Sequence, residues 1–253
     1  MFEGTAGGGL VPWAVLNGYA TDEEISASGF YTHADVDDYE LDVYGASLNF
    51  HNRLEVSFAR QEMDLTRLGP ILGLPGANLD QTVLGLKYRV YGDVLYTDWP
   101  QISLGLQYKK NHDFAIPAAV GASDDDGLDV YLSASKVFLG AVGGFNLLVN
   151  GTVRYSEANQ TGLLGFGGPG SSDGHLNVEA AAGILLSHHL IVGAEYRFKS
   201  GNLDGLPEDD WYDFFIGYFP NRHIALSAAY INLGEIAGLS GQDGVYLSLE
   251  VSF

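Results

Sequence analysis

Apolar and polar residues alternate along most of this chain with a period of two. The clearest run closes it. Ile224, Leu226, Ala228 and Tyr230 alternate with Ala225, Ser227 and Ala229, and after a glycine-containing turn Val245, Leu247, Leu249, Val251 and Phe253 alternate with Tyr246, Ser248, Glu250 and Ser252. Successive side chains of a strand point to opposite faces, so this pattern predicts strands with one apolar and one polar face. The same hairpin recurs upstream. Leu54, Val56 and Phe58 oppose Glu55, Ser57 and Ala59, and Leu84, Leu86, Tyr88 and Val90 oppose Gly85, Lys87 and Arg89. Ile102 to Tyr108 oppose Ser103 to Lys109, Leu128 to Ala134 oppose Asp129 to Ser135, and Val149 to Tyr155 oppose Asn150, Thr152 and Arg154. Leu176 to Ile184, Leu190 to Phe198 and Tyr212 to Tyr218 repeat the alternation, with Glu179, Glu195, Arg197 and Asp213 on the polar side.

Two stretches depart from it. Within 39–50, Leu41 and Val43 share one parity while Leu48 and Phe50 share the other, which predicts a β-bulge near Gly45. Residues 1–20 do not alternate cleanly, and Gly7–Gly9 and Pro12 argue against a regular ladder there. The chain opens Met-Phe-Glu-Gly with no secretory signal, and Met1 is read as a start added to a mature sequence.

The connections alternate in length. Short or moderate turns near 51, 93, 141, 188 and 221 face long loops near 70, 118, 166, 204 and 238. Short turns on one side and long loops on the other are the plan of bacterial outer-membrane barrels, with the long loops extracellular. The chain's end, alternating and closed by Phe253, resembles the last strand of that class, where it serves as the assembly signal. The expected fold is therefore all-β, an antiparallel transmembrane β-barrel of about twelve strands over 21–253. Residues 1–20 are expected at the periplasmic mouth or in the lumen; if 10–19 were a wall strand and one further strand went unrecognised, the count would become fourteen. A soluble β-sandwich or lipocalin-like barrel also alternates, but it does not call for a dozen strands whose apolar faces so often end in Tyr.

Several blocks, among them GTAGGGLVPWAVLNGYAT, QISLGLQYKKN, LLVNGTVRYSEANQTGLLGFGG and VGAEYRFK, are similar to the domain-of-unknown-function family 3034. The resemblance covers nearly the whole chain. It implies an outer-membrane barrel of a Gram-negative bacterium, and it implies no activity and no catalytic residue.

Composition adjusts this picture in a few places. No run of about 18 apolar residues exists, so no transmembrane helix is expected. The net charge of −20 argues against nucleic-acid binding. The absence of cysteine removes disulfides from consideration. Thirty-four Gly and fifteen Tyr suit tight turns and aromatic girdles. The partners expected are the lipid bilayer, lipopolysaccharide and the barrel assembly machinery through Phe253; a homo-oligomer or a protein partner stays open.

The inward-facing charges Lys87, Arg89, Lys109, Asp129, Arg154, Glu179, Glu195, Arg197, Asp213 and Glu250 are the lumen-lining candidates. They predict either a transverse field that screens solutes in a pore or a network of paired charges filling a narrow barrel. About eight strands give a filled interior and about sixteen an open channel, so twelve lies between. The acidic groups Asp35/Asp37/Asp38, Asp124/Asp125/Asp126 and Glu208/Asp209/Asp210 fall in external loops, where oxygen ligands could hold Ca²⁺ or Mg²⁺. No metal-loop spacing accompanies them, so Asp124–Asp126 are weak candidates and no metal or cofactor is expected. A hydrolase would need Ser, His and an acid together. His175 near Ser171, Ser172 and Asp173, the His188–His189 turn and His112–Asp113 are accidental neighbours on this reading, and an enzyme is not expected. The expected function is a narrow porin-like passive channel for small hydrophilic solutes; the alternative is a closed barrel acting as a scaffold.

Overall fold

The computed structural model describes residues 1–65, 77–169 and 174–253. Twelve strands run in order: β1 (Ile25–Val36), β2 (Glu40–Phe50), β3 (Leu54–Asp64), β4 (Asn78–Tyr91), β5 (Gln101–Asn111), β6 (Asp126–Val142), β7 (Phe145–Ser156), β8 (His175–Leu185), β9 (Leu190–Arg197), β10 (Trp211–Asn221), β11 (Ile224–Asn232) and β12 (Asp243–Ser252). Each pairs antiparallel with its sequence neighbours, and β1 pairs with β12 to close the barrel. Closure leaves no sheet edge, the condition for β structure to cross a bilayer. One short helix, α1 (Ala115–Ala119), sits between β5 and β6.

Connections of 51–53, 143–144 and 222–223 mark the turn end, and those of 112–125, 157–174 and 198–210 mark the loop end. The loop 65–77 expected on the same side lies mostly outside the described residues. Outward positions form an apolar belt. Leu84, Leu132, Val178, Ile216 and Leu247 are all exposed. Toward the loop end the belt gives way to tyrosines that donate to carboxylates: Tyr31 to Asp42, Tyr44 to Glu62, Tyr196 to Asp210 and Tyr230 to Asp243. Tyr88, Tyr91, Trp99 and Phe253 are exposed toward the turn end. An apolar band bounded by aromatic residues is the signature of a lipid-facing wall.

The bulge expected near Gly45 is absent. The β1–β2 and β2–β3 registers run unbroken, with Gly45 opposite Phe30 and Ala59. Leu41 and Val43 share parity with Ser47 and Asn49 and face inward, so the phase change reflects an apolar stretch of lumen rather than an extra residue. Phe30 folds across Gly45: a Cβ there would lie 2.8 Å from the Phe30 ring.

Residues 1–17 meet the inward-facing side chains of the wall, and Tyr19 is exposed near Phe253 at the turn end. The backbone of 1–20 is not helical, so few of its polar groups are satisfied within the segment; the exceptions are turns such as the one closed by Gly8 N donating to Val11 O. Irregular backbone at membrane depth survives only where protein satisfies it, and here the wall's side chains do so.

A charged seat for the N-terminal segment inside the barrel

Polar side chains reach the segment from most of the wall. Gln101 Nε2 and Ser103 Oγ donate to the Ala14 carbonyl at 2.7 and 2.6 Å. Thr152 Oγ1 donates to Pro12 O at 2.8 Å. Lys87 Nζ donates to the Ala6 and Val15 carbonyls at 2.8 and 2.9 Å, and Gln61 Nε2 donates to Phe2 O at 2.7 Å. Two wall carboxylates collect the segment's donors. Glu55 accepts from Thr5 Oγ1, Ala6 N and Asn17 N at 2.7, 3.1 and 2.7 Å. Glu195 accepts from Leu10 N, Val11 N and Trp13 Nε1 at 2.7, 3.3 and 2.9 Å.

At the centre is Glu3. Its carboxylate meets Lys109 Nζ at 2.5 Å, Arg154 Nη2 at 3.0 Å and Arg197 Nη1 at 3.2 Å. Lys109 also meets Asp129 at 2.7 Å, and Arg154 meets Asp129 at 3.0 Å and Glu179 at 2.6 Å. All of these side chains are buried. On the wall this cluster holds three cations and two carboxylates, and Glu3 supplies the third anion.

Lys87, Lys109, Asp129, Arg154, Glu179, Glu195 and Arg197 therefore stand in or beside this seat. Lys87 is 3.6 Å from Glu55. Arg89 lies at the turn end and bonds Gly92 O and Asp93 instead. Glu250 accepts from Ser252 Oγ at 3.2 Å and borders a gap of about 100 Å³ beside Gly8 and Trp13. Asp213 is in register with Glu195 and 1% exposed.

Two charged members of the seat, Glu3 and Glu55, were not among the sequence candidates. Glu55 carries a signal, since it shares the inward parity of Ser57 and Ala59. Glu3 carries none, because its stretch has no period.

The acidic loop groups are dispersed among partners. Lys110 Nζ meets Asp125 at 2.6 Å and Asp126 at 3.5 Å, while Asp124 bridges to Phe166 through the backbone. The Asp38 amide donates to Gln242. Glu208 meets Lys199 Nζ at 2.7 Å inside the barrel mouth. Burial pulls the Lys199 ammonium down to about 8, with Glu208 opposing the shift. Among the described residues no three His, Asp or Glu side chains are grouped to hold a metal ion. His112 bonds Thr82 and His189 bonds the Phe219 carbonyl; Ser171, Ser172 and Asp173 lie outside the described residues.

Gly8 marks how tightly the segment is seated. A Cβ built there falls 1.9 Å from Glu195 Oε1. Gly8→Leu should push the carboxylate off its three donors. Amide hydrogen exchange at Leu10 and Val11 should rise at least tenfold, the exposure of about 1.4 kcal/mol of lost protection, while strand amides of β6 and β7 keep their rates. Unchanged exchange at Leu10 would show that Glu195 does not anchor the segment.

A closed antiparallel barrel with an apolar belt and a charged interior is the fold of the outer-membrane porins and channels, and comparison with solved structures agrees. KdgM porin superposes with a TM-score of 0.56 at 12% identity, over 89% of this chain and 99% of that one. The Acinetobacter baumannii outer membrane protein Omp33 gives 0.50 at 12% identity, over 92% and 100%. The COG4313 outer membrane channel from Pseudomonas putida F1 gives 0.50 at 11% identity, over 90% and 95%. No curated protein matches the chain in sequence. The chain belongs to the family described as Protein of unknown function (DUF3034), whose model matches residues 1–250.

Proposed function

We propose that this protein is a channel of the Gram-negative outer membrane, shut by residues 1–20, that passes small hydrophilic solutes when the segment leaves its seat. The observation that carries the reading is the Glu3 carboxylate set among Lys109, Arg154 and Arg197. A wall cluster with more cations than anions is electrostatically incomplete alone, and a movable carboxylate completes it. With the segment gone, the same side chains would line a passage of mixed charge, which filters solutes by charge and size. On this reading the long loops face outward among lipopolysaccharide, Phe253 presents the last strand to the assembly machinery, and no catalysis is involved. KdgM porin and the Pseudomonas channel support it by likeness of fold.

A second reading, a closed barrel serving as a scaffold, draws on the same filled interior. Single-channel recording separates the two. The whole chain should be silent or open rarely in a planar bilayer. Deleting residues 2–20 should give stepwise openings, and Glu3→Gln should raise the open fraction of the intact chain. A deleted variant that folds, shown by heat-modifiable migration, yet stays silent across several salts would leave the scaffold reading.

A further inference from the structure

On the loop side of the seat the interior changes from polar to apolar. Val36, Leu41, Leu79 and Ile231 of the wall, with Leu164 and Ile236 of the loops, surround a cavity of about 140 Å³. Phe2 and Leu10 of the N-terminal segment floor it. On one side β10 contributes Trp211 and Asp213, two residues apart and so on the same inward face.

These two residues are unlike the rest of the lining. No donor among the described residues reaches either carboxyl oxygen of Asp213, whose near neighbour is the in-register Glu195 carboxyl, and Trp211 Nε1 has no hydrogen-bond partner there. Both side chains are about 2% exposed or less. The neighbouring carboxylate, Glu195, is by contrast occupied by Leu10, Val11 and Trp13. A buried polar group with no partner costs stability, and two such groups of opposite character beside one apolar chamber fit a ligand that answers both.

We propose that this chamber binds a small neutral molecule with an apolar body and one hydroxyl group, of the size of a monocyclic aromatic alcohol. The hydroxyl donates to Asp213 and accepts from Trp211 Nε1, and the body fills the apolar space. The size follows from the volume, since a dry apolar cavity of about 150 Å³ takes a benzene-sized molecule. A cationic ligand fits worse. Lys199 Nζ already lies 3.8 Å from the Trp211 ring centre and the Arg197 guanidinium 6.0 Å, so a third positive charge would be repelled, and an ammonium would leave the indole N–H unanswered. This site does not depend on the barrel conducting.

Fluorine NMR of 4-fluorobenzyl alcohol tests it, with the full chain reconstituted in lipid nanodiscs and empty nanodiscs as the partition control. A saturable bound resonance is expected, and fluorobenzene should bind about tenfold more weakly for want of the hydrogen bonds to Asp213 and Trp211. Two variants fill the chamber from different sides, Ala34→Phe from the wall and Ile236→Trp from a loop, so the test survives the misfolding of either. Loss of the bound resonance in a folded filled variant supports the site. A resonance that persists in it reports partition into lipid and overturns the proposal. Fluorobenzene binding as tightly as the alcohol overturns the roles of Asp213 and Trp211.

Discussion

Replacing Arg154 by Met should destabilise the barrel by about 3–5 kcal/mol, the cost of removing one partner from a buried ionic group. Arg154 is the hub of the interior. Its guanidinium donates to Glu179 Oε1 at 2.6 Å, Gln107 Oε1 at 2.6 Å, Asp129 at 3.0 Å and Glu3 at 3.0 Å, and it lies 5.2 Å from the centre of the Tyr131 ring. Methionine fills much of the volume but leaves these carboxylates facing one another with fewer cations. A whole network replaced by apolar residues can be neutral, whereas a half-dismantled one is not. The size of the loss therefore depends on what remains. Adding Glu3→Gln to Arg154→Met should restore part of it by removing one orphaned charge. Urea unfolding in lipid vesicles measures both. A loss below about 1 kcal/mol for the single variant, or no recovery in the double, would mean that the cluster is solvated and not a sealed network.

On the opposite face of the same wall, Leu132→Arg should cost about 2–4 kcal/mol, and Leu128→Arg should cost about 0–1 kcal/mol. Both leucines point outward from β6 and are half-exposed, but Leu128 lies near the loop end and Leu132 nearer mid-strand. An arginine at the middle of the bilayer must thin it or reach far to find water, while one near the interface reaches water directly. The two substitutions share chemistry, strand and parity, so their difference isolates depth. Equal costs in vesicles would contradict a membrane band centred on Leu132.

The wall was legible in the sequence because its physics is local. A period of two decides which side chains face lipid, and it held from Leu54 to Val251 wherever both faces differ in polarity. It failed at Leu41 and Val43 because the polarity is inverted there: the lumen is apolar at that level while Glu40 and Asp42 face outward near the loop end, so parity alone assigns the wrong face. The alternation of short and long connections likewise placed the two ends of the barrel. What the period does not report is what an inward residue meets. Lys109, Arg154 and Arg197 were recognised as inward, but their shared partner Glu3 sits in a stretch without alternation, more than a hundred residues from each. Arg89 shows the converse. Its parity is inward, yet its place at the strand end lets it turn to Asp93. The apolar chamber was hidden for the same reason, since it is assembled from strand ends, loops and the tip of the N-terminal segment.

The contacts that seat residues 1–20 also have a temporal meaning. Asn17 reaches Ser47, 30 positions on, and Glu3 reaches Arg197, 194 positions on. Beyond a small hairpin closed by Phe2 N to Gly9 O, Gly8 N to Val11 O and Trp13 N to Ala6 O, the segment has little local structure to hold it, so ordering it repays little until strands far along the chain are in place. Its final seating must therefore be a late event of assembly, following the arrival of β9. During synthesis the segment emerges before the strands that seat it. The central wall cluster is also left with three cations and two carboxylates until Glu3 arrives, so an early, empty barrel would be a wet one. Drying of the interior is then the last step, and it marks the completed molecule.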